Sequence, residues 1–293
     1  MRVSVCYNIT MKTILSTTLD ANQRKRLINA YQSYAIPFKH AYMTHAFKVD
    51  ETLIQIYTSG KVVFSGPQAE TIKELVSPTQ SIKTHAGSDE VGTGDYFGPV
   101  VVCACVCTDE QSVLLASKGL MDSKLMNDET MIALYHEFKG TISHSLMIVS
   151  PTKYNEIHQI HNMNAIKAKL HYEAYLALSN KTLLPTLCVV DQFTPRALFY
   201  KYLNINPNSS LPLHFETKAE SKYIGVATAS VFARAVFVLT LRQLEKHYQL
   251  PLPKGASERV DEAAKAFVLK HGQDKLKHVA KLHFKNTMRV LNQ

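Results

Sequence analysis

Residues 87–100 read GSDEVGTGDYFGPV. Asp89 and Glu90 close an apolar run that starts at His85, and the glycine-rich step Gly92-Thr93-Gly94 leads into a second apolar run, Val100 to Cys107. An acid at a strand end is costly inside a core unless something positive neutralises it. The arrangement recurs downstream: Asp191 ends the run from Leu183 to Val190, and Glu216 and Glu220 follow the run from Leu211 to Phe215. If those strands are sheet neighbours, Asp89, Glu90, Asp191 and Glu220 converge on one spot. That is the oxygen-rich donor set a hard divalent cation needs. Two such ions held ~3.5–4 Å apart could activate a water and stabilise the leaving oxygen of an in-line phosphodiester displacement. Pattern alone leaves two alternatives open: acids that merely face water, and Glu216 instead of Glu220 as the fourth acid.

The remaining sequence supplies plausible neighbours. Thr141 to Ser150 is a third apolar run after a helix at about 127–138, and Ser150-Pro151 opens another helix in cap-then-proline order. A longer helix spans 164–179, with Tyr172, Tyr175, Leu176 and Leu178 on a core face. Another follows at roughly 220–247, then a Pro-Gly turn at Pro251 to Gly255, then a helix from Ser257 to Gly272. Upstream, Leu27, Ile28, Tyr31 and Tyr34 recur at helical spacing behind a Thr/Asp cap. Residues 46–64 alternate as strands do and break at Ser59-Gly60, which predicts a hairpin, and 68–76 reads as a short helix. Ser77-Pro78-Thr79-Gln80-Ser81 is the best linker. The expected division is a small α+β domain over 1–80 and a larger α/β domain over 81–293. No repeat or low-complexity segment is visible.

The chain has 293 residues, 33 Lys and Arg against 24 Asp and Glu, and a formal charge of +9. Such an excess favours a polyanionic partner. It is denser at the N-terminus, where residues 1–86 carry ten Lys/Arg against five Asp/Glu. Five cysteines are too few for a disulfide scaffold, and Cys103, Cys105 and Cys107 alternate along one run, so buried reduced thiols and a cytoplasmic setting are expected. No signal peptide, membrane association or transmembrane helix is anticipated. His158 and His161, near Glu156, read as surface residues rather than a metal site.

The stretch 87–100 strongly resembles the first motif of the type 2 ribonucleases H, and its Asp-Tyr-Phe-Gly-Pro portion is similar to ribonuclease HIII. Further matches follow in order: Met121-Asp-Ser-Lys124, Val190-Asp-Gln-Phe193, Thr217-Lys-Ala-Glu-Ser221, Ala229 to Arg234, Pro253 to Ser257 and His283 to Thr287. Tyr57-Thr-Ser-Gly-Lys-Val-Val-Phe64 looks like part of the TATA-binding-protein-like domain that ribonuclease HIII carries.

The resemblance implies an RNase H-like mixed five-stranded sheet flanked by helices, preceded by a small α+β TATA-binding-protein-like domain. It implies a monomeric endoribonuclease that cleaves the RNA strand of RNA–DNA hybrids with Mg2+ or Mn2+, two ions acting during catalysis. The implied ligands are Asp89, Glu90, Asp191 and Glu220; Glu220 is preferred over Glu216 because the Lys-x-acid-Ser frame aligns with it. Gly92, Thr93 and Gly94 would present backbone to RNA 2′-hydroxyls. Lys124 and Lys218 would face phosphates, and Tyr57 and Lys61, with Phe64, would rest against the hybrid minor groove. Ser230 and Arg234 lie in a family motif, with packing and substrate contact both open. Cleavage at single ribonucleotides in duplex DNA, as in ribonuclease HII, and a catalytically silent nucleic-acid binder are the alternatives.

Overall fold

The computed structural model describes residues 13–19, 21–76, 84–121 and 126–291. The chain separates into two compact units, Met1–Ser81 and Ile82–Gln293. The linker Ser77 to Ser81, Lys124 and the segment before Thr13 lie outside the described residues.

In the first unit the elements run β1 (Ile14–Thr18), α1 (Ala21–Tyr31), β2 (Met43–Val49), β3 (Thr52–Tyr57), β4 (Lys61–Ser65) and α2 (Ala69–Val76). The strands form an antiparallel sheet in the order β1-β4-β3-β2. Successive strand residues face opposite sides. Phe47, Ile54, Ile56, Val62 and Phe64 therefore bury on one side with Leu27 and Ile72 of the helices. Tyr57 and Lys61 fall on the other side, half-buried and exposed. Phe64 is a core residue and is not available to a ligand. The stretch expected to form one hairpin contains three strands, because Asp50 turns the chain in the left-handed region at φ 49°. Asp tolerates that conformation, so no glycine marks the turn.

The second unit runs β5 (His85–Val91), β6 (Val100–Cys107), α3 (Asp109–Ser117), α4 (Asp128–Phe138), β7 (His144–Val149), α5 (Pro151–His158), α6 (Met163–Ser179), β8 (Cys188–Asp191), α7 (Arg196–Leu203), β9 (Leu213–Glu216), α8 (Ile224–Tyr248), α9 (Glu258–His271) and α10 (Lys285–Leu291). Its sheet order is β7-β6-β5-β8-β9. β7, β6 and β5 pair antiparallel, and β5, β8 and β9 pair parallel. The C-terminal ends of β5, β8 and β9 consequently share one sheet edge, where ligands bind in open α/β sheets.

Cys103, Cys105 and Cys107 point from β6 towards α8, and the intervening Val102, Ala104 and Val106 towards α6. All three are free and buried thiols. α8 is long and apolar enough to cross a membrane, but 78% of its apolar window is buried in this unit, as befits a core helix.

The strand expected from Leu183 starts at Cys188, since Pro185 keeps the preceding backbone out of the ladder. The helix expected from residue 220 starts at Ile224, because Lys218 turns left-handed at φ 54° and Ala219–Ser221 forms a single 3-10 turn. α3, α7 and α10 were not anticipated. In α3 the apolar residues Val113 and Leu114 face outward, which blurs the helical period.

α8 lies on β5 at glycine distance. A Cβ on Gly87 would stand 2.2 Å from the Val226 nitrogen and 2.3 Å from the Gly225 carbonyl carbon. Cys105 Sγ donates to the Gly225 carbonyl at 3.1 Å, and Gly225 N–H donates to His85 Nε2 at 3.0 Å. We predict that Gly87→Ala lowers stability by about 3 kcal/mol, because both colliding atoms are backbone and cannot rotate away. Gly140→Ala, where a Cβ meets nothing, should stay within about 0.5 kcal/mol of wild type. Urea midpoints of the two variants check the pair.

Candidate active site

The pleat of β5 decides the environment of each acid. Asp89 and Glu90 are consecutive, so their side chains leave opposite faces of the sheet. Asp89 turns to the α8 side, where Ser230 hydrogen-bonds its carboxylate and the Glu90 backbone N–H donates to Oδ1 at 2.8 Å. Glu90 turns to the α6 side. There Lys167 forms an ion pair with Oε1, and His171 Nε2 lies 2.8 Å from Oε2.

Two residues of one α6 stripe therefore serve Glu90. The other ring nitrogen of His171, Nδ1, lies 2.8 Å from Ser88 Oγ, so the imidazole is fixed at both ends. Phe193, two residues past Asp191, covers this cluster: the Lys167 ammonium sits 4.0 Å from its ring centroid, and the His171 ring stacks at 5.5 Å.

Asp191 ends β8, and Ala219 N–H donates to its Oδ1 at 3.0 Å. The left-handed Lys218 and the 3-10 turn fold Glu220 back into the sheet edge, where it is buried and hydrogen-bonds Asp191. Glu216, its rival, is in register with Asp191 on the adjacent parallel strand but turns outward to Lys222 and His214. The structure thus brings Asp89, Glu90, Asp191 and Glu220 together and leaves Glu216 aside.

The electrostatics follow. Burial, then the neighbouring Glu90 and, at longer range, Asp191, pushes the Asp89 carboxyl up to about 8 against the pull of Ser230. Burial alone would also raise Glu90, but the hydrogen bond and charge of His171 and the charge of Lys167 outweigh it and hold Glu90 below the ordinary range. Asp191 is raised by burial and by Glu220. Environments that drive adjacent carboxyls apart in this way are typical of catalytic sites.

A divalent cation fits this donor set. The acids are oxygen ligands, and burial together with neighbouring carboxyls raises Asp89 and Asp191. Among the described residues no group of three or more His, Cys, Asp or Glu side chains is arranged to hold a metal ion by itself. Mg2+-type sites take further ligands from water and substrate phosphate.

The glycine-rich loop separates two needs. Gly92 is required by the fold, with φ 93° and a Cβ position only 2.2 Å from the Pro99 carbonyl oxygen. Gly94 is exposed, has no positive φ, and a Cβ there would meet nothing within 4 Å. The protein does not demand glycine at 94; a ligand approaching the backbone would. Thr93 is half-buried between them, and Lys218 is exposed beside Glu220. Arg234 is engaged with Asp128. Lys167 and His171 were missed from sequence. The available signal was a Lys and a His at i and i+4 on the inner stripe of a core helix, a costly placement without an acid opposite.

Residues 86–287 match the family model described as Ribonuclease HII, and residues 16–86 match a Domain of unknown function, DUF3378. The chain is 36% identical to a ribonuclease HIII of Lactococcus lactis subsp. lactis strain IL1403, covering 93% of this chain and 96% of that one. It is 34% identical to a ribonuclease HIII of Streptococcus pneumoniae strain CGSP14, covering 94% and 99%. Its fold is similar to a crystal structure of Bst-RNase HIII in complex with Mn2+, with a TM-score of 0.71 and 31% identity over 96% of this chain and 98% of that one.

The raised Asp89 carboxyl has a stability consequence. Between pH 4 and 8 the folded protein holds a proton there that the unfolded chain has released, so this contribution is present at low pH and is lost as pH rises towards about 8. In chelator, the melting temperature of wild type should fall relative to that of Asp89→Asn as pH is raised from 5 to 8. Added Mg2+ should recover wild type at pH 8 and leave Asp89→Asn unmoved. Parallel pH slopes for the two proteins would show that Asp89 ionises freely.

Proposed function

Because the chain belongs to the ribonuclease HII family and matches ribonucleases HIII along nearly its whole length, we infer that it is an endoribonuclease hydrolysing the RNA strand of RNA–DNA hybrids, with Mg2+ or Mn2+ as cofactor and 5′-phosphate and 3′-hydroxyl products. The observation that carries this reading is the convergence of Asp89, Glu90, Asp191 and Glu220 at the C-terminal edge of β5, β8 and β9, where burial and neighbouring carboxyls raise Asp89 and Asp191.

Asp89, Glu90, Asp191 and Glu220 are the residues that would hold the metal. When bound, divalent ions supply a water of lowered pKa and stabilise the leaving oxygen of an in-line displacement. The chain's own side chains do the rest. Ser230 and the Glu90 N–H orient Asp89. Lys167 and His171 keep Glu90 ionised. Asp191 and Glu220, sharing a hydrogen bond, must give up a proton before both can act as anionic ligands.

The open backbone at Gly94 admits a ribose close enough for its 2′-hydroxyl to be read. Lys218 stands exposed beside the acids for phosphate contact. Tyr57 and Lys61, on the face of the N-terminal sheet that its helices do not cover, suit a groove-binding role. The reading includes a monomer in the cytoplasm, a reducing compartment that suits the buried free thiols.

Two labelled duplexes test it, one a continuous RNA–DNA hybrid and one DNA with a single embedded ribonucleotide, each with Mg2+ and with Mn2+. Cutting of the continuous hybrid is expected; efficient cutting at the single ribonucleotide would assign ribonuclease HII-type specificity instead. Asp89→Asn and Glu220→Gln should each lower kcat by roughly 10³-fold or more, with hybrid affinity within about threefold of wild type. Glu216→Gln should cleave normally. Loss of activity in Glu216→Gln with turnover retained in Glu220→Gln would reverse the fourth assignment.

A further inference from the structure

Lys281 is a charged side chain with no exposed surface, far in sequence from the acids and unused by the chemistry above. Its ammonium Nζ donates to two backbone carbonyls, Asp95 O at 2.8 Å and Gly98 O at 2.6 Å. Its backbone N–H donates to Tyr96 O at 2.8 Å. All three acceptors belong to the second half of the loop whose first half is Gly92-Thr93-Gly94.

The neighbouring contacts fasten the same short segment. Gly98 N–H donates to Val279 O at 2.9 Å, and Tyr96 N–H donates to Gly255 O at 2.9 Å. Gly255 N–H in turn donates to Asp95 Oδ1 at 2.7 Å. Residues 95–98 are thereby tied to two later segments of the chain, and the Lys281 side chain spans both ends of the turn.

An amine stripped of water is a costly way to fill a core. An apolar side chain of similar length would pack as well and leave two inward carbonyls without partners, so the lysine is explained by the carbonyls it holds. Burial pulls the amine down to about 7, with Asp95 opposing the shift. Either protonation state keeps the two N–H donors that the carbonyls use.

We propose that Lys281 is a positioning residue for substrate selection: by clamping the Asp95 and Gly98 carbonyls it sets the backbone path of Gly92 to Gly94, and so sets how strongly the enzyme prefers an RNA strand over a DNA strand of the same sequence. This rests on the reading of the loop as a 2′-hydroxyl reader. Lys281 touches no reacting atom, and its removal acts through the loop.

The experiment compares wild type, Lys281→Met and Asp95→Ala, the last removing the bond to Gly255 from a half-buried position on the same segment. Affinities for an RNA–DNA hybrid and for the all-DNA duplex of identical sequence are measured by anisotropy with Ca2+, alongside KM and kcat for the hybrid with Mg2+ and a thermal melt of each protein. In Lys281→Met the ratio of hybrid to DNA affinity should fall by about tenfold or more, mainly through weaker hybrid binding, with DNA-duplex affinity held within about twofold and KM rising more than kcat falls. Asp95→Ala should move the ratio in the same direction by a smaller factor.

A merely structural role would lower the melting temperature and leave the ratio unchanged; that result in Lys281→Met, or in Asp95→Ala should Lys281→Met fail to fold, overturns the proposal. Wild type that shows no preference for the hybrid overturns the loop reading itself and the proposal with it. A wild-type preference that survives in both variants overturns only the role of Lys281.

Discussion

The approach of α8 to β5 governs the acidic end of this fold. Gly87 and Gly225 bring the helix backbone within van der Waals reach of the strand backbone, so the α8 side of β5 past Gly87 has room for one short side chain and a hydroxyl partner, Asp89 with Ser230. Among the described residues no long cationic side chain pairs with Asp89 from that side. The opposite face is spaced by α6, whose Lys167 and His171 are long enough to reach Glu90. Two consecutive acids therefore live in different electrostatic worlds because one face of the strand is packed at glycine distance and the other at side-chain distance.

That asymmetry divides the labour of the site. Glu90 is compensated by its own protein and stays ionised without help. Asp89 and Asp191 are raised by burial and by neighbouring carboxyls, so a bound cation would favour ionisation of the cluster. The fold holds these groups in a destabilised arrangement, and the rest of the unit, with its apolar layers on both sides of the sheet, supports them. If the four acids hold the metal as proposed, its remaining ligands would be water and phosphate oxygens that the nucleic acid brings.

The acids were legible in the sequence because each interrupts an apolar run, and the parallel pairing of β5, β8 and β9 turned three separate interruptions into one edge. Preference for Glu220 over Glu216 came from the motif frame, and its physical basis, a left-handed Lys218 that reverses the chain, carried no glycine to announce it. Lys167 and His171 were illegible for a related reason. They share a helical stripe with Ala174 and Leu178, and their partner Glu90 lies 81 residues away from His171 across the sheet. Local periodicity reports that a face is buried; it does not report what the face is buried against. In the N-terminal unit the same limit hid one strand, where Asp50 supplied a turn that glycine or asparagine would have marked more plainly.

Glycine and buried charge together distinguish what the fold requires from what a ligand requires. Gly87 and Gly92 are dictated internally, since any side chain there strikes backbone, whereas Gly94 faces open space and is free of backbone strain. A flexible, unhindered glycine at the tip of a loop would sample many paths and lose entropy on binding. The bonds from Lys281, Val279 and Gly255 to residues 95–98 oppose that by fixing one end of the loop while leaving its tip bare. A rigid base under a bare backbone tip is what discrimination by a single hydroxyl needs, because an unfixed donor or acceptor adjusts to either sugar and tells them apart poorly. On the proposed reading of the loop, selectivity would be a property of how the loop is anchored, at a distance from the four acids.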